Sequence, residues 1–437
     1  MTIGIDASRS IDTIQKTGVE KVSDELLRQF IEIKNQKSKI KNNDFDFIFY
    51  TPQSINWLPK ENQKILRWPV KFFWTQVRLA WELIFHPPKA MFFPVHAMPV
   101  LLLIIFSFPL FHKKPWHRIS LTTPARELAT PPQGGGERTH YYKIIHDIAF
   151  KKQPQLYSFK PKMMLNLDLW LAKRLCAKIF VPSRAVKDDL LKYTKIKPEK
   201  IIVAHWGYNT KNTESTKTQK AQKQILYIGR VEGKKNIRNL IMGFELFNEK
   251  YPAYKLMLAG RIDPQFKISN VKFQMSNQIS PFRGSPLNKL ENFKLEIGGQ
   301  NPNDKIVNHN SSFMIHDSIQ FLGYISEEKK RQLLAESACL ALVSEEEGFG
   351  FPILEAFDFG LPVVASDIPV LREIGGDACM YVNPDSPESI AQGLEMVLAE
   401  TCRAVFLQEK IEKGRERLKK FSWQKTAEKI FREMLNG

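Results

Sequence analysis

Short apolar runs separated by longer amphipathic ones recur along the whole chain, and this rhythm leaves few folds open. It is the pattern of parallel strands covered by helices. A parallel connection has to travel back over the sheet, and a helix does so while burying its own apolar stripe. In the first half the pattern predicts strands at Ile3–Ala7, Phe45–Tyr50, Met91–Pro94, Lys143–His146, Lys178–Val181 and Ile201–His205, with helices at Gly18–Ile33 and Leu165–Leu175. A polar stretch, YNTKNTESTKTQKAQKQ at 208–224, then reads as a linker. Beyond it the rhythm restarts, with strands at Ile225–Ile228, Lys255–Ala259, Ile319–Leu322, Cys339–Val343, Val363–Ala365 and Cys379–Val382. Helices fit Ile237–Glu249, Glu327–Ala335, Pro352–Phe359, Pro387–Glu400 and Trp423–Leu435. The expectation is an α/β protein of two Rossmann-like, doubly wound domains facing a central cleft, with ligands at the strand ends.

The 437 residues suffice for two or three domains at roughly 100–200 residues each. An aromatic content of 11% excludes disorder as the main state. The balance of 64 Lys and Arg against 46 Asp and Glu, a net +18, favours anionic partners: nucleic acid, acidic lipid or a phosphorylated substrate. No nucleic-acid recognition motif is present, so specific binding to nucleic acid is not expected. Cys176, Cys339, Cys379 and Cys402 lie far apart without a C-x-x-C, which excludes a disulfide scaffold and a zinc ribbon and suits a reducing cytoplasm. The opening MTIGIDAS breaks its apolar run at Asp6 and reads as a strand rather than a secretion signal. Met98–Phe111 falls short of the ~20 residues a bilayer requires and contains Pro99 and Pro109. The reading is a cytoplasmic protein, soluble or peripheral on the inner membrane face.

Two stretches break the rhythm and read as insertions, about 98–140 in the first domain and about 262–317 in the second. Residues 65–93 interleave Trp68, Phe72, Phe73, Trp74 and Trp81 with Arg67, Lys71 and Arg78. An amphipathic helix with its aromatic face packed inward accounts for this pattern; docking on anionic membrane, together with the run 98–111, is the other reading.

The densest chemical signal is SEEEGFGFPILEAFDFGLPVVASD, Ser344–Asp367. Gly348 and Gly350 allow close approach of the backbone to a ligand, Pro352 suits the first position of a helix, and Gly360 suits its end. The positive end of that helix is a site for phosphate. Glu347 and Glu355 are eight residues apart, and each carboxylate can accept from a vicinal diol of a sugar or ribose. The second signal, IGRVEGKKN, places Arg230 and Lys235 after the first strand of the second domain, where two cations can stabilise a diphosphate leaving group without metal. Asp44-Phe45-Asp46 has the D-x-D spacing of a metal triplet, but it precedes its strand and reads as a turn cap. Gly134–Gly136 lacks the strand and helix of a dinucleotide fingerprint, and the nine histidines show no metal-ligand spacing.

GRVEGKKN, FLGYIS and EEGFGFPILEAFDFGLPVVASD closely resemble the retaining glycosyltransferases of family 4, the group 1 glycosyltransferases of GT-B fold. In the first half IGIDASR, TGVEKVSDELL, IIHDIAF and IFVPSRAVKDDLLKY resemble that family's amino-terminal domain. The resemblance implies that Glu347 contacts donor-sugar hydroxyls, Glu355 holds the ribose, and Arg230 and Lys235 bind the diphosphate. It places the Gly348–Phe349–Gly350 backbone against sugar and phosphate, His146 facing the donor sugar, and Gly18 beside the donor phosphates or acceptor. Tyr324 lies where such enzymes approach the base. The implied protein needs no cofactor and no metal, takes a nucleotide-sugar donor and a glycan or lipid-linked hydroxyl acceptor, and returns its last helix, in 421–437, to the first domain. The implied activity is transfer of a hexosyl group, mannosyl as a guess, in surface-polysaccharide or glycolipid assembly. A non-catalytic scaffold of the same fold, binding anionic membrane or polyanion, is the alternative.

Overall fold

Seven short strands build the first sheet: β1 (Thr2–Asp6), β2 (Asp46–Thr51), β3 (Gln63–Ile65), β4 (Ala90–Phe93), β5 (His140–Ile144), β6 (Cys176–Val181) and β7 (Ile201–Val203). These come from a computed structural model, which describes every residue except 12–17, 38–44, 70–72, 96–97, 100–138, 211–221, 264–312, 317, 400–402 and 437. The chain divides into two units, Met1–Gly207 with Phe421–Gly437, and Tyr208–Lys420.

In the first unit the strand order is β3-β2-β1-β4-β5-β6-β7, with every pairing parallel. Both sheet faces are covered, so the strands read as near-continuous apolar runs, and Ile3, Ile5, Phe47, Phe49, Phe92 and Phe180 are fully buried. Helix Gly18–Lys37 places Val22, Leu26, Phe30 and Ile33 inward at helical spacing. Beside it lies helix Trp423–Leu435, whose Phe431 ring sits 5.7 Å from Phe47 and 4.7 Å from Phe45. The last helix is thus built into the first unit, where Tyr142 also donates to the Met434 carbonyl at 3.4 Å.

The second sheet comprises β8 (Gln224–Ile228), β9 (Lys255–Ala259), β10 (Phe313–His316), β11 (Ile319–Gly323), β12 (Cys339–Leu342), β13 (Val363–Ser366) and β14 (Met380–Val382). Its order is β10-β11-β9-β8-β12-β13-β14, parallel except for β10 against β11. From β8 the chain builds outward through β9 to β11, then returns to β12 and builds the other way. The switch point between β8 and β12 is where the loops of a doubly wound sheet open around a ligand.

Several expectations are adjusted. Residues 208–224 are not linker throughout: Tyr208 donates to Asp358 at 3.1 Å, Gln222 N–H bonds the Glu336 carbonyl at 2.7 Å, and Gln224 opens β8. The second insertion ends in β10, an edge strand. The helix expected from Leu165 starts at Phe159. Segment 65–93 splits its aromatics: Trp74 is buried and donates its indole N–H to the Leu66 carbonyl at 2.7 Å, whereas Phe73, Trp81 and Phe85 are exposed. Leu79, Ala80 and Leu83 already fill the inward face, leaving no room there for the larger rings. Phe72, Lys71, Asp44, Cys402, Gly134–Gly136 and most of 98–140 lie outside the described residues. Cys176, Cys339 and Cys379 are free thiols, each buried. Among the described residues no helix is long and apolar enough to cross a membrane, and no group of three or more His, Cys, Asp or Glu could hold a metal ion.

Candidate functional site

The loops after β8 and β12 are stitched together by their backbones. Glu345 N–H donates to the Lys234 carbonyl at 3.0 Å. Asn236, in the left-handed region at φ 54°, donates its side-chain amide to the Val343 and Pro384 carbonyls at 3.1 and 2.7 Å. Below the first loop, Tyr227 donates to the Arg230 carbonyl at 2.8 Å; burial, then the charges of Glu347 and Glu232, push its phenol well above its ordinary value. At the end of β9 the backbone presses on this loop. A Cβ on Gly260 would stand 1.8 Å from the Gly229 carbonyl oxygen.

This scaffold brings Lys235 and Glu347 into contact. The ammonium is 2.6 Å from Glu347 Oε1, and the Ser344 hydroxyl donates to the same oxygen at 2.9 Å. Both side chains are largely withdrawn from water, 14% and 11% exposed, so this is a desolvated pair with strong mutual dependence. Arg230 is different. It is 53% exposed and meets Asp263 at 2.6 Å and Glu232 at 3.4 Å. Exposed pairs contribute about 0–1 kcal/mol, so its guanidinium can turn to a bidentate anion at little cost.

Between them, Gly348, Phe349 and Gly350 run into helix Phe351–Asp358. Gly350 caps it at φ 98°, where an added Cβ would also press on Leu371 at 2.8 Å, so both conformation and space call for glycine. Phe349 is buried against Phe351, leaving the loop backbone to define the surface. Pro352 occupies the second helical position rather than the first, and Glu355 the second turn. Glu355 Oε1 receives the Lys330 ammonium at 2.5 Å. Tyr324 follows directly on the carboxyl end of β11.

His146 and Gly18 belong to the first unit. His146 leaves the end of β5 half-buried, its ring 5.7 Å from that of Trp206, with Nε2 3.1 Å from the Pro94 carbonyl oxygen. A carbonyl only accepts, so Nε2 carries the hydrogen and Nδ1 remains an acceptor. Burial pushes the imidazole down to about 4, against the Pro94 hydrogen bond and Asp147, so it is neutral at pH 7. Gly18 opens helix Gly18–Lys37 at the surface, and a Cβ there would meet nothing within 4 Å.

Residues 209–417 match the family model of the group 1 glycosyl transferases. The second unit belongs to that family. A curated relative, the O-antigen chain mannosyltransferase RfbU of Salmonella typhimurium, is 26% identical over 247 residues, which is 56% of this chain and 57% of that protein. The chain spans about half the length of the curated relatives it matches. Among solved structures, sucrose-phosphate synthase from Thermosynechococcus elongatus superposes with a TM-score of 0.61 at 14% identity, covering 100% of this chain and 99% of that one. Anabaena HepE in complex with UDP and glucose gives 0.60 at 13% identity and covers 100% of both. At such identities the likeness is one of fold, the two-domain α/β arrangement of GT-B glycosyltransferases.

In the group 1 unit, sequence alone missed Ser344, Asn236, Asp263 and Lys330. Ser344 and Asn236 border the two motifs and their neighbourhood was visible. Asp263 and Lys330 reach the site only by tertiary contact, 33 and 25 residues from their partners, and no local pattern marks them.

Proposed function

We propose that this chain transfers a hexosyl group, mannosyl foremost, from a nucleotide sugar to a hydroxyl acceptor in surface-polysaccharide or glycolipid assembly, retaining anomeric configuration and using no metal. The Lys235–Glu347 pair at the switch point carries the reading: one group suited to a diphosphate and one to sugar hydroxyls share a desolvated spot. The relative that is an O-antigen chain mannosyltransferase supports the mannosyl donor, and HepE with UDP and glucose supports a nucleoside diphosphate. In the reaction the bond from the anomeric carbon to the phosphate oxygen breaks, its electron pair going to that oxygen. Arg230, Lys235 and the start of helix Phe351–Asp358 stabilise the charge formed. The acceptor oxygen bonds to the same face of the sugar, and its proton passes to the departing phosphate. Glu347 orients hydroxyls and is not a nucleophile. Glu355 accepts from the ribose, and neutral His146 accepts from the sugar through Nδ1.

The test is nucleotide release from a panel of nucleotide sugars with EDTA present, comparing the intact protein with a Lys235→Ala, Glu355→Ala variant. Release by the intact protein alone, with GDP-mannose the expected donor, supports the reading. Silence across the panel, with no donor raising Tm, favours a non-catalytic scaffold for polyanions.

In the same reading the protein works in the cytoplasm on the membrane face, with a lipid-linked acceptor. Phe73, Val77, Trp81 and Phe85 recur every fourth residue and all are exposed, with exposed Arg67 and Lys89 nearby. Apolar rings beside cations on a chain of net charge +18 suit an anionic lipid surface. Co-sedimentation with phosphatidylglycerol vesicles is expected for the intact protein and reduced at least tenfold, on the order of 1.4 kcal/mol, by Phe73→Ser, Trp81→Ser, Phe85→Ser. Equal sedimentation of both would remove this surface from the reading.

A further inference from the structure

Glu355 is held by a residue that neither motif contains. Lys330 Nζ lies 2.5 Å from Glu355 Oε1 and 3.1 Å from Glu327 Oε2, with the lysine side chain 12% exposed and Glu355 17%. The lysine projects from helix Glu327–Glu336, whose start is fixed by Ser326 accepting the Lys329 N–H at 3.2 Å. Glu327 and Lys330, three residues apart, share a helical face. Three residues beyond Glu355, Asp358 takes the Tyr208 hydroxyl at 3.1 Å. Two carboxylates, Glu355 and Glu327, therefore share one ammonium. Burial alone would lower the Lys330 pKa, but Glu355 and then Glu327 more than offset it and raise it, so the lysine stays charged.

We propose that Lys330 is a positioning residue for ribose recognition, holding Glu355 in one orientation so that it accepts from both vicinal hydroxyls of a nucleoside diphosphate. This rests on the reading of Glu355 given above. An ammonium on Oε1 fixes the carboxylate in place and leaves lone pairs for hydroxyl hydrogens. It also orders the long glutamate side chain in advance, a rotamer cost that ligand binding need not then meet.

The experiment is isothermal titration calorimetry of the full chain with UDP, GDP and their 2′-deoxy counterparts, using whichever ribonucleotide binds more tightly. The intact protein is expected to prefer the ribonucleotide over its 2′-deoxy form by roughly tenfold or more, since a site built for a hydroxyl is left unpaired without it. Lys330→Met should reduce that ratio to within about threefold by weakening only the ribonucleotide, and Lys330→Arg should restore most of it. Glu355→Gln should collapse the ratio as well, and the double variant should add nothing further. Should Lys330→Met not fold, Lys330→Gln serves in its place. A ratio that survives in Lys330→Met but collapses in Glu355→Gln overturns the role of Lys330 and leaves Glu355 as the ribose group. A ratio that survives in Glu355→Gln, or no binding of either nucleotide by the intact protein, overturns both.

Discussion

Lys235→Met is expected to lower kcat by about a hundredfold to a thousandfold, the scale of losing one preorganised charge partner of a developing anion. The same substitution is expected to destabilise the second unit by about 3–5 kcal/mol, because Glu347, 11% exposed, would lose its ammonium partner. Both effects follow from one geometry, so a cycle separates them. In Lys235→Met, Glu347→Gln the buried charge is gone, and the Ser344 hydroxyl can still donate to the amide oxygen. Most of the stability should return while kcat stays low, because in the proposed reaction the cation for the diphosphate and the carboxylate for the sugar hydroxyls are both missing. Steady-state kinetics on the donor found active, together with urea titration of the three variants, reads both axes. A kcat within tenfold of the intact protein in Lys235→Met would remove this lysine from the leaving-group role. Recovery of kcat in the double variant would show that the single substitution acted through folding alone.

What could be read before the structure follows from where the information sits along the chain. Central strands such as β8, β9 and β12 are buried on both faces and announce themselves as unbroken apolar runs. The edge strands do not: β3 is QKI, half-buried at best, and β10 lies beyond a long polar stretch. Helix Arg403–Leu418 is rich in charge, and its apolar positions are too sparse to stand out. The site divides in the same way. Glu347, the glycines and Glu355 lie on one loop and the helix that follows, so a single spacing places all of them. The partners that meet them, Lys330 for Glu355 and Asp263 for Arg230, arrive from other elements and leave no spacing to find. The stripe Phe73, Trp81 and Phe85 was visible as composition, but its direction depends on Leu79 and Leu83 having filled the inward face first.

Phe431→Ala is expected to destabilise the first unit by about 3–5 kcal/mol, a large share of the 5–15 kcal/mol that holds a typical domain together. The ring is 2% exposed and packs on Phe45 and Phe47, while its neighbours Trp423, Ala427, Ile430 and Met434 bury the rest of the helix face. Truncation therefore opens a cavity between the helix and the sheet, and it also loosens the segment that carries the chain back from the second unit. The placement of the tryptophans makes the outcome easy to assign. The seven described tryptophans, Trp57, Trp68, Trp74, Trp81, Trp170, Trp206 and Trp423, belong to the first unit, and the eighth, Trp116, lies outside the described residues. Intrinsic fluorescence thus follows that unit, whereas far-ultraviolet circular dichroism follows both. In urea the fluorescence midpoint should fall by roughly 1.5–2.5 M, taking a slope near 2 kcal/mol per molar. The later part of the dichroism transition should stay in place, because the Phe431 ring packs on Phe45 and Phe47 of the first unit. If the two probes instead shift together, the units unfold as one cooperative body, and the last helix couples their stabilities rather than serving the first unit alone.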